Sequence, residues 1–268
     1  MLQYMTEAFN KYLMNQPLGE ESVIKTKSLL KVVNGQKSEF SSLRGGLLIT
    51  LPLLEMMNSS VFKSKICRPQ FIQTIALMID NCENTQKTSQ ATAQVFDELR
   101  RALFLIAESL AKHNKLLITH HKEIIENLLP ILVKKLDSQS ADIRFLSLKL
   151  FTDYITQFLC EDKIYNSEEN TDTTQAINEL ILKKLFSYYG HILADKDPMP
   201  LFGLKLLSVI VERNSAFVAV LKKLNLVGIL LEYFSVGHPK FNTFTVKIVK
   251  QIVASRDLEL SELCSPQM

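Results

Sequence analysis

The hydrophobic and polar residues of this chain alternate with a helical period along almost its whole length. Apolar residues recur three and four positions apart, and no segment shows the strict alternation of a half-buried strand. The predicted helices lie near residues 2–15, 20–34, 41–58, 69–81, 90–113, 120–136, 141–159, 174–193, 198–213, 216–235 and 239–254. The pattern therefore predicts an all-α fold.

One short phrase within this pattern occurs three times. The copies are FLSLKLF at 145–151, LFGLKLL at 201–207 and TFTVKIV at 243–249. Each copy holds one lysine, with a small residue two positions before it and apolar residues around both. The repetition indicates that one structural unit recurs along the chain.

The spacing of the phrase identifies the kind of repeat. Its lysines are 56 and then 42 residues apart, and an acidic, polar segment at about 161–175 lies in the longer interval. Without that segment both intervals approach 41 residues, and a period of about 40–47 residues with two helices per unit is typical of HEAT and armadillo repeats. The chain is therefore predicted to be a single helical-hairpin solenoid over 1–268, a HEAT/armadillo-like superhelix. The segment at about 161–175 is predicted to be a mobile loop insert.

A helical wheel places the residues of the phrase. With the lysine at 0° and about 100° per residue, the apolar positions cover an arc of about 200° on the opposite side. An arc this wide suits a helix that neighbouring helices cover on several sides. The small residue, which is Ser147, Gly203 or Thr245, falls near the centre of the arc, where it would let a crossing helix approach closely.

The lysine occupies the narrow polar face that remains. Lys149, Lys205 and Lys247 would then form a ladder along one side of the solenoid, and they are the candidate partner-binding residues. Surface lysines are common, however, and the alternative is a row of solvated lysines that keeps the helices soluble.

Composition and charge narrow the choice of partners. The formal net charge is only +3, from 31 basic and 28 acidic residues, so the balance does not favour nucleic acid as a partner. The longest apolar stretch, at 46–57, is interrupted by Pro52 and Glu55 and is too short to span a bilayer. No signal peptide is visible and the four cysteines are widely spaced, so the expected location is cytoplasmic, with reduced thiols and no membrane insertion.

The sequence offers little catalytic chemistry. It contains no phosphate-binding glycine loop, no nucleophile elbow and no zinc-protease motif. The adjacent pair His120 and His121 points in directions about 100° apart on a helix, which is a poor geometry for one metal ion. No catalytic, cofactor-binding or metal site and no small-molecule substrate is predicted, and the chain is not expected to be an enzyme.

Pairs of lysines near helix ends have a structural explanation. The sequence KKL occurs at 134–136, 183–185 and 222–224, each time late in a predicted helix. Lysines there interact favourably with the negative end of the helix dipole. The lysine pairs are therefore explained by their place at helix ends, and a combined patch that attracts an acidic partner is the alternative.

The segment LFGLKLLSVIVERNSAFVAVLKKLNLVGILLEYF at 201–234, with the hairpins beside it, resembles a known repeat region. It is similar to the C-terminal HEAT/armadillo-like region of the Unc-51-like/Fused serine/threonine kinase family, in its pseudokinase branch. The resemblance implies an intracellular scaffold linked to microtubules, cilia and neuronal development. The kinase motifs of that family are absent here, so the resemblance also implies that the chain is a C-terminal part of a longer protein, starting inside the repeat array.

The leading functional hypothesis is a non-catalytic scaffold that binds other proteins, linked to microtubule and ciliary processes through the resemblance. One alternative is a binder of acidic polymers, either tubulin tails or nucleic acid, that uses the ladder of Lys149, Lys205 and Lys247. Another is a regulatory segment that acts on an enzyme domain outside this sequence.

Overall fold

The computed structural model describes four stretches of the chain, residues 67–81, 90–165, 168–235 and 242–255. Every regular element in these stretches is a helix, as the sequence predicts. The described residues belong to two compact units, the first ending at Ser138 and the second beginning at Gln139. The predicted helices near 2–15, 20–34 and 41–58 lie outside the described residues, and the single solenoid over 1–268 stays a prediction.

The first unit contains the helices predicted near 69–81, 90–113 and 120–136, and a short helix at Asn114–Thr119 that was not predicted lies between the last two. In chain order the helices are α1 (Pro69–Asn81), α2 (Gln90–Ala111), α3 (Asn114–Thr119), α4 (His121–Glu123) and α5 (Leu129–Lys134). A π-helical turn at Ile124–Leu128 joins α4 to α5, and a 3-10 turn at Lys135–Asp137 follows α5. The single helix predicted near 120–136 is thus present, with one wide turn inside it and a tight turn at its end.

A buried lysine ties two helices of the first unit together. Lys135 is only 3% exposed, and its ammonium group donates a hydrogen bond to the backbone carbonyl of Asp80, near the end of α1. The Asp80 carboxylate lies 3.3 Å from Lys135 Nζ and 2.9 Å from Lys134 Nζ. Partial burial acts to raise the pKa of Asp80, but the two lysines outweigh it and the pKa is lowered. Both lysines lie at a helix end, as the sequence interpretation has them, but the burial of Lys135 was not predicted.

The second unit contains the three phrase helices. Its helices are α6 (Ala141–Cys160), α7 (Thr171–Leu180), α8 (Tyr189–Ala194), α9 (Met199–Arg213), α10 (Ala216–Lys223), α11 (Leu226–Ser235) and α12 (Asn242–Ala254). Short turns at Glu168–Asn170, Ile181–Leu185 and Phe186–Tyr188 precede α7 or link α7 to α8. The phrase helices α6, α9 and α12 pack side by side, with α9 in the middle. Helix α8 packs against α9 and α11 against α12, so α9 and α12 each end a helical hairpin.

The burial of the phrase residues confirms the helical wheel in its main features. Ser147, Gly203 and Thr245 are all buried, as the wheel predicts for the centre of the apolar arc. The apolar positions directly before and after each lysine are buried on α6 and α9. On α12 the arc is only partly covered, because Val246 is 50% exposed and Val253 is 56% exposed.

Gly203 marks the close crossing of α8 and α9. A Cβ atom at this position would lie 2.6 Å from Cγ2 of Ile192, so any larger side chain would push the helices apart. The hydroxyl group of buried Tyr189 donates a hydrogen bond of 3.0 Å to the Gly203 carbonyl oxygen. Burial raises the pKa of Tyr189 well above its ordinary value, which keeps the hydroxyl protonated as the donor.

The predicted helix 216–235 is wrong in one respect, because the chain breaks it into α10 and α11. Asn225 adopts a left-handed conformation with φ of 56°, which ends α10. The backbone N–H of Leu224 donates to the Val220 carbonyl, and that of Asn225 donates to the Lys222 carbonyl, both at 3.0 Å. Asparagine tolerates this conformation better than most residues and closes helices in the same way as glycine.

The predicted loop insert is shorter in the structure than in the sequence prediction. Helix α7 already begins at Thr171, inside the segment of about 161–175. Ile164 and Tyr165 are buried, and the Tyr165 hydroxyl donates a hydrogen bond of 2.9 Å to the Asn178 side chain on α7. The insert therefore has a buried anchor, which its acidic composition did not predict, and its mobility stays a prediction.

A bidentate ion pair joins the start of α6 to the end of the α8 hairpin arm. Arg144 Nε donates to Asp195 Oδ2 at 2.8 Å, and Arg144 Nη2 donates to Oδ1 at 3.1 Å. The hydrogen bonds from Arg144 lower the pKa of Asp195, which stays ionised well into the acid range. The pair fixes α6 relative to α8, so it helps to set the spacing of the layer formed by α6 and α9.

Candidate protein-binding face

The structure places the three lysines of the predicted ladder on the three adjacent phrase helices. Lys149 lies half-buried on α6, the Lys205 side chain on α9 is 38% exposed, and the Lys247 side chain on α12 is 47% exposed. We call the side of α6, α9 and α12 that carries these lysines the lysine face. The role of this face in binding a partner stays a prediction.

Carboxylates on the neighbouring helices meet two of the lysines. Lys205 Nζ lies 3.8 Å from Asp153 Oδ1 on α6, and Lys247 Nζ lies 3.2 Å from Glu212 Oε1 on α9. In both pairs the lysine reaches back to the preceding phrase helix. Exposed pairs of this kind contribute at most about 1 kcal/mol each, so they add little to the stability of the fold. They also reduce the positive potential that the lysines present to a partner.

Half-buried aromatic rings lie beside the lysines. The rings of Phe145 on α6 and Phe202 on α9 meet edge to face, with centroids 5.3 Å apart, and Lys205 Nζ lies 5.8 Å from the Phe202 centroid. Phe244, three residues before Lys247, is half-buried at the equivalent position of α12. Aromatic side chains with one accessible side are typical of protein-binding surfaces.

The formal charge rises from one phrase helix to the next. Charged residues are Asp142, Arg144, Lys149 and Asp153 on α6, Lys205, Glu212 and Arg213 on α9, and Lys247 and Lys250 on α12. Helix α6 is therefore neutral, α9 carries one excess positive charge, and α12 carries two and no carboxylate. Of the three helices that carry the lysine face, α6 and α9 are thus mixed in charge, and α12 is wholly basic.

The histidines and cysteines of the described residues belong to no metal-ligating group. His121 Nδ1 lies 2.7 Å from the Ile118 carbonyl, and His120 lies 4.0 Å from Glu123. No group of three metal-ligating side chains occurs within 67–81, 90–165, 168–235 or 242–255. Burial raises the pKa of the Cys67 thiol to about 12, whereas Cys160 is exposed at the end of α6.

In the described stretches of the chain, no helix has the length and apolar character needed to cross a bilayer.

The sequence prediction missed the carboxylates and the aromatic edge of this face. Asp153 follows Lys149 by four residues and Glu212 follows Lys205 by seven, so both lie within about 40° of the lysine on the wheel. That spacing was a usable signal for the carboxylates. The contact between Phe145 and Phe202 depends on the packing of two helices, which the spacing within one helix does not reveal.

Comparison with known proteins places the chain in a family. The family described as "Serine/threonine-protein kinase ULK4-like, HEAT repeats" matches residues 23–219. The mouse protein "Serine/threonine-protein kinase ULK4" is 24% identical over 210 residues, which cover 75% of this chain and 16% of that protein. The protein "Serine/threonine-protein kinase RUNKEL" from Arabidopsis thaliana is 26% identical over 208 residues, covering 77% of this chain and 14% of that protein. The chain therefore matches about one seventh of the length of these relatives.

Solved repeat proteins align along most of the chain at low similarity. A designed armadillo repeat protein, solved in complex with a (KR)4 peptide, is 14% identical with a TM-score of 0.45, and the alignment covers 94% of this chain and 98% of that one. A second designed armadillo repeat protein gives the same TM-score and identity. The family match, which spans most of the chain, confirms the predicted HEAT-type repeats and the resemblance to Unc-51-like kinases. The chain belongs to the HEAT-repeat family of ULK4-like serine/threonine-protein kinases.

Proposed function

We propose that this chain is a non-catalytic scaffold that binds other proteins through the lysine face. The observation that carries the proposal is the side-by-side packing of α6, α9 and α12, which lines up half-exposed aromatic rings and ion pairs on one side. Helical repeats commonly use such a row of equivalent helices as a binding surface. The paired charges favour a folded protein partner, because mixed charges and aromatic rings give specificity through complementary contacts.

The proposal extends to microtubule and ciliary processes through the resemblance to the Unc-51-like family. The kinase activity in the names of the relatives is a statement about those proteins, of which this chain matches only a small part. The repeat region would contribute binding, and any phosphoryl transfer would belong to a different domain.

The scaffold role can be tested by crosslinking mass spectrometry in cytosol with variants of the lysine face. Leu146→Asp combined with Phe202→Asp places charges among the half-buried apolar groups of the face. We expect this variant to lose the specific partners that the unaltered chain recovers. Leu182→Asp, at an exposed leucine outside the phrase helices, is the matched control and should retain them. Equal recovery of partners by both variants, with both folded by circular dichroism, would contradict the proposal.

The alternative is an acidic polymer bound through Lys149, Lys205 and Lys247. The carboxylates of Asp153 and Glu212 already neutralise part of that ladder, which weighs against it. Charge reversal of all three lysines to glutamate, assayed by cosedimentation with microtubules and by binding to single-stranded RNA, separates the two functions. The scaffold proposal expects little change in either assay, whereas loss of salt-sensitive binding would favour the alternative.

A further inference from the structure

One edge of the apolar arc of the phrase helices is buried on α6 and α9 but exposed on α12. The positions one before and six after the lysine are Leu148 and Ile155 on α6, Leu204 and Val211 on α9, and Val246 and Val253 on α12. The first four side chains are buried, whereas Val246 and Val253 are about half exposed. Helix α6 has α9 beside it and α9 has α12 beside it, but no later phrase helix follows α12 among the described residues.

The position three after the lysine differs in the same way. It is Thr152 on α6 and Ser208 on α9, and both are buried. Their hydroxyl groups donate to backbone carbonyls of their own helices, Thr152 to Leu148 at 2.7 Å and Ser208 to Lys205 at 2.8 Å. On α12 this position is Lys250, which is exposed. A charged lysine thus stands where the two other helices have a small, internally bonded hydroxyl.

These three residues of α12 lie on one side of the helix. Relative to Lys247, the side chains of Val253, Val246 and Lys250 project at about 240°, 260° and 300°. The buried residues Ile248 and Ile252 project at about 100° and 140°, on the other side. We call Val246, Lys250 and Val253 the α12 edge.

We propose that the α12 edge docks an acidic amphipathic helix of a partner protein. The two valines would contact an apolar stripe of the partner, and Lys250 would pair with a carboxylate between the apolar residues of that stripe. Val246 and Val253 are half exposed and lie seven residues apart, which is about two helical turns, so they fit a partner helix with apolar residues at i and i+7. The inference rests on the proposed scaffold function, and it names the chemistry of one partner and a surface separate from the lysine face.

The charges of α12 favour an acidic occupant over another phrase helix or a second copy of the chain. In each ion pair between described phrase helices, the helix later in the chain carries the lysine and the preceding helix carries the carboxylate. The pair of Lys247 on α12 with Glu212 on α9 is an example. Helix α12 contains Lys247 and Lys250 but no acidic residue, so another helix with a phrase lysine would be repelled. A second copy that docked through the same edge would bring two Lys250 side chains together. Helix α12 also lies beyond residues 23–219, which the family match covers.

The test measures the binding of two synthetic peptides to the full chain by fluorescence anisotropy. Both peptides are about 18 residues long, which is long enough for measurable helicity, and both carry the same leucine stripe. One peptide has glutamates and the other has lysines between and beside the leucines. We expect the glutamate peptide to bind about tenfold more tightly than the lysine peptide.

Two substitutions at position 250 and one pair of valine substitutions provide the decisive comparison. Lys250→Glu should reverse the preference between the two peptides, and Lys250→Thr, which copies the residue of α6, should remove it. Val246→Asp combined with Val253→Asp should weaken the glutamate peptide about tenfold or more. The matched controls are Lys184→Glu and Leu182→Asp, at exposed positions of the turn between α7 and α8, and both should leave the affinities unchanged.

The outcomes separate this inference from the scaffold function. Equal affinity for the two peptides, or an unchanged preference in Lys250→Glu, overturns the inference. Binding of the glutamate peptide only after removal of residues 257–268 also overturns it, because the edge would then be occupied by the chain's own acidic tail. A chain that fails these tests but still loses its partners with Leu146→Asp and Phe202→Asp retains the scaffold function, which distinguishes the two failures.

Discussion

At the residue scale, Gly203 is where α8 and α9 approach too closely for any side chain. We expect Gly203→Ala to lower the free energy of unfolding by about 1–3 kcal/mol, because its Cβ atom would overlap Ile192 Cγ2. Gly190→Ala is the matched control, since a Cβ atom there meets nothing within 4 Å and alanine favours a helix by about 1 kcal/mol. Urea denaturation of the two variants measures the difference. A Gly203→Ala variant as stable as the Gly190→Ala variant would show that the helices separate at little cost.

The pair of Arg144 and Asp195 gives the second residue-scale prediction, which concerns pH. The lowered pKa of Asp195 means that its ionised form stabilises the fold above the unfolded pKa of about 3.9, and that this contribution is lost as the pH falls through the lower folded pKa. Asp195→Asn should therefore cost about 1.5–3 kcal/mol at pH 7 and progressively less below about pH 4.

The measurement for Asp195→Asn is urea denaturation at a series of pH values. Asp142→Asn, at an exposed acid in the first turn of α6, serves as the control and should cost less than about 1 kcal/mol. A cost of Asp195→Asn that stays constant from pH 7 to pH 3 would mean that the charge of Asp195 contributes nothing.

At the element scale, the break between α10 and α11 depends on the left-handed conformation of Asn225. Asn225→Val should destabilise the chain by about 1–2 kcal/mol, because a β-branched residue is strained at a φ of 56°. Asn225→Gly should be neutral or slightly stabilising, since glycine adopts this conformation without strain. Thermal unfolding followed by circular dichroism compares the two variants. If both variants unfold at the same temperature, α10 and α11 can merge into one helix without loss.

The elements also show how far the sequence could be interpreted alone. The phrase helices were predictable because each has six apolar positions, a small residue and a lysine at fixed spacing. This periodic pattern lies within a single helix and does not depend on contacts with other helices. The break at Asn225 was not, since asparagine is also tolerated inside helices and only its backbone conformation ends α10. The burial of Lys135 depends on Asp80, more than fifty residues away, and periodicity carries no information about such pairs.

The candidate face was predictable in position but not in chemistry. The wheel correctly left the lysine side of each phrase helix outside the apolar arc, because that result depends on one helix only. The partners of Lys205 and Lys247 lie on neighbouring helices, so their ion pairs depend on packing that the sequence does not specify locally. The exposure of Val246 and Val253 on α12 was not predictable from the sequence, because their sequence pattern matches that of the buried positions on α6 and α9.

At the scale of the whole molecule, the order of the phrase helices predicts a gradient of local stability in the second unit. Helix α9 packs between α6 and α12, whereas α12 has a phrase helix on one side only among the described residues. Since a repeat is stabilised mainly by its neighbours, we expect central amides of α9 to exchange hydrogen more slowly than those of α12, by about tenfold or more. Hydrogen exchange followed by mass spectrometry measures both helices in one experiment. Equal protection of α9 and α12 would mean that the second unit opens only as a whole.

The contrast between the two described cysteines has a practical consequence. Cys160 is exposed at the end of α6, and its backbone carbonyl accepts a hydrogen bond from Arg213 at the end of α9, whereas Cys67 is buried with a pKa of about 12. A maleimide dye used near neutral pH would therefore attach at Cys160 and spare Cys67, once Cys82 and Cys264 are replaced by serine. The chain thus provides its own attachment point for a fluorescent label, at the border between the first two phrase helices.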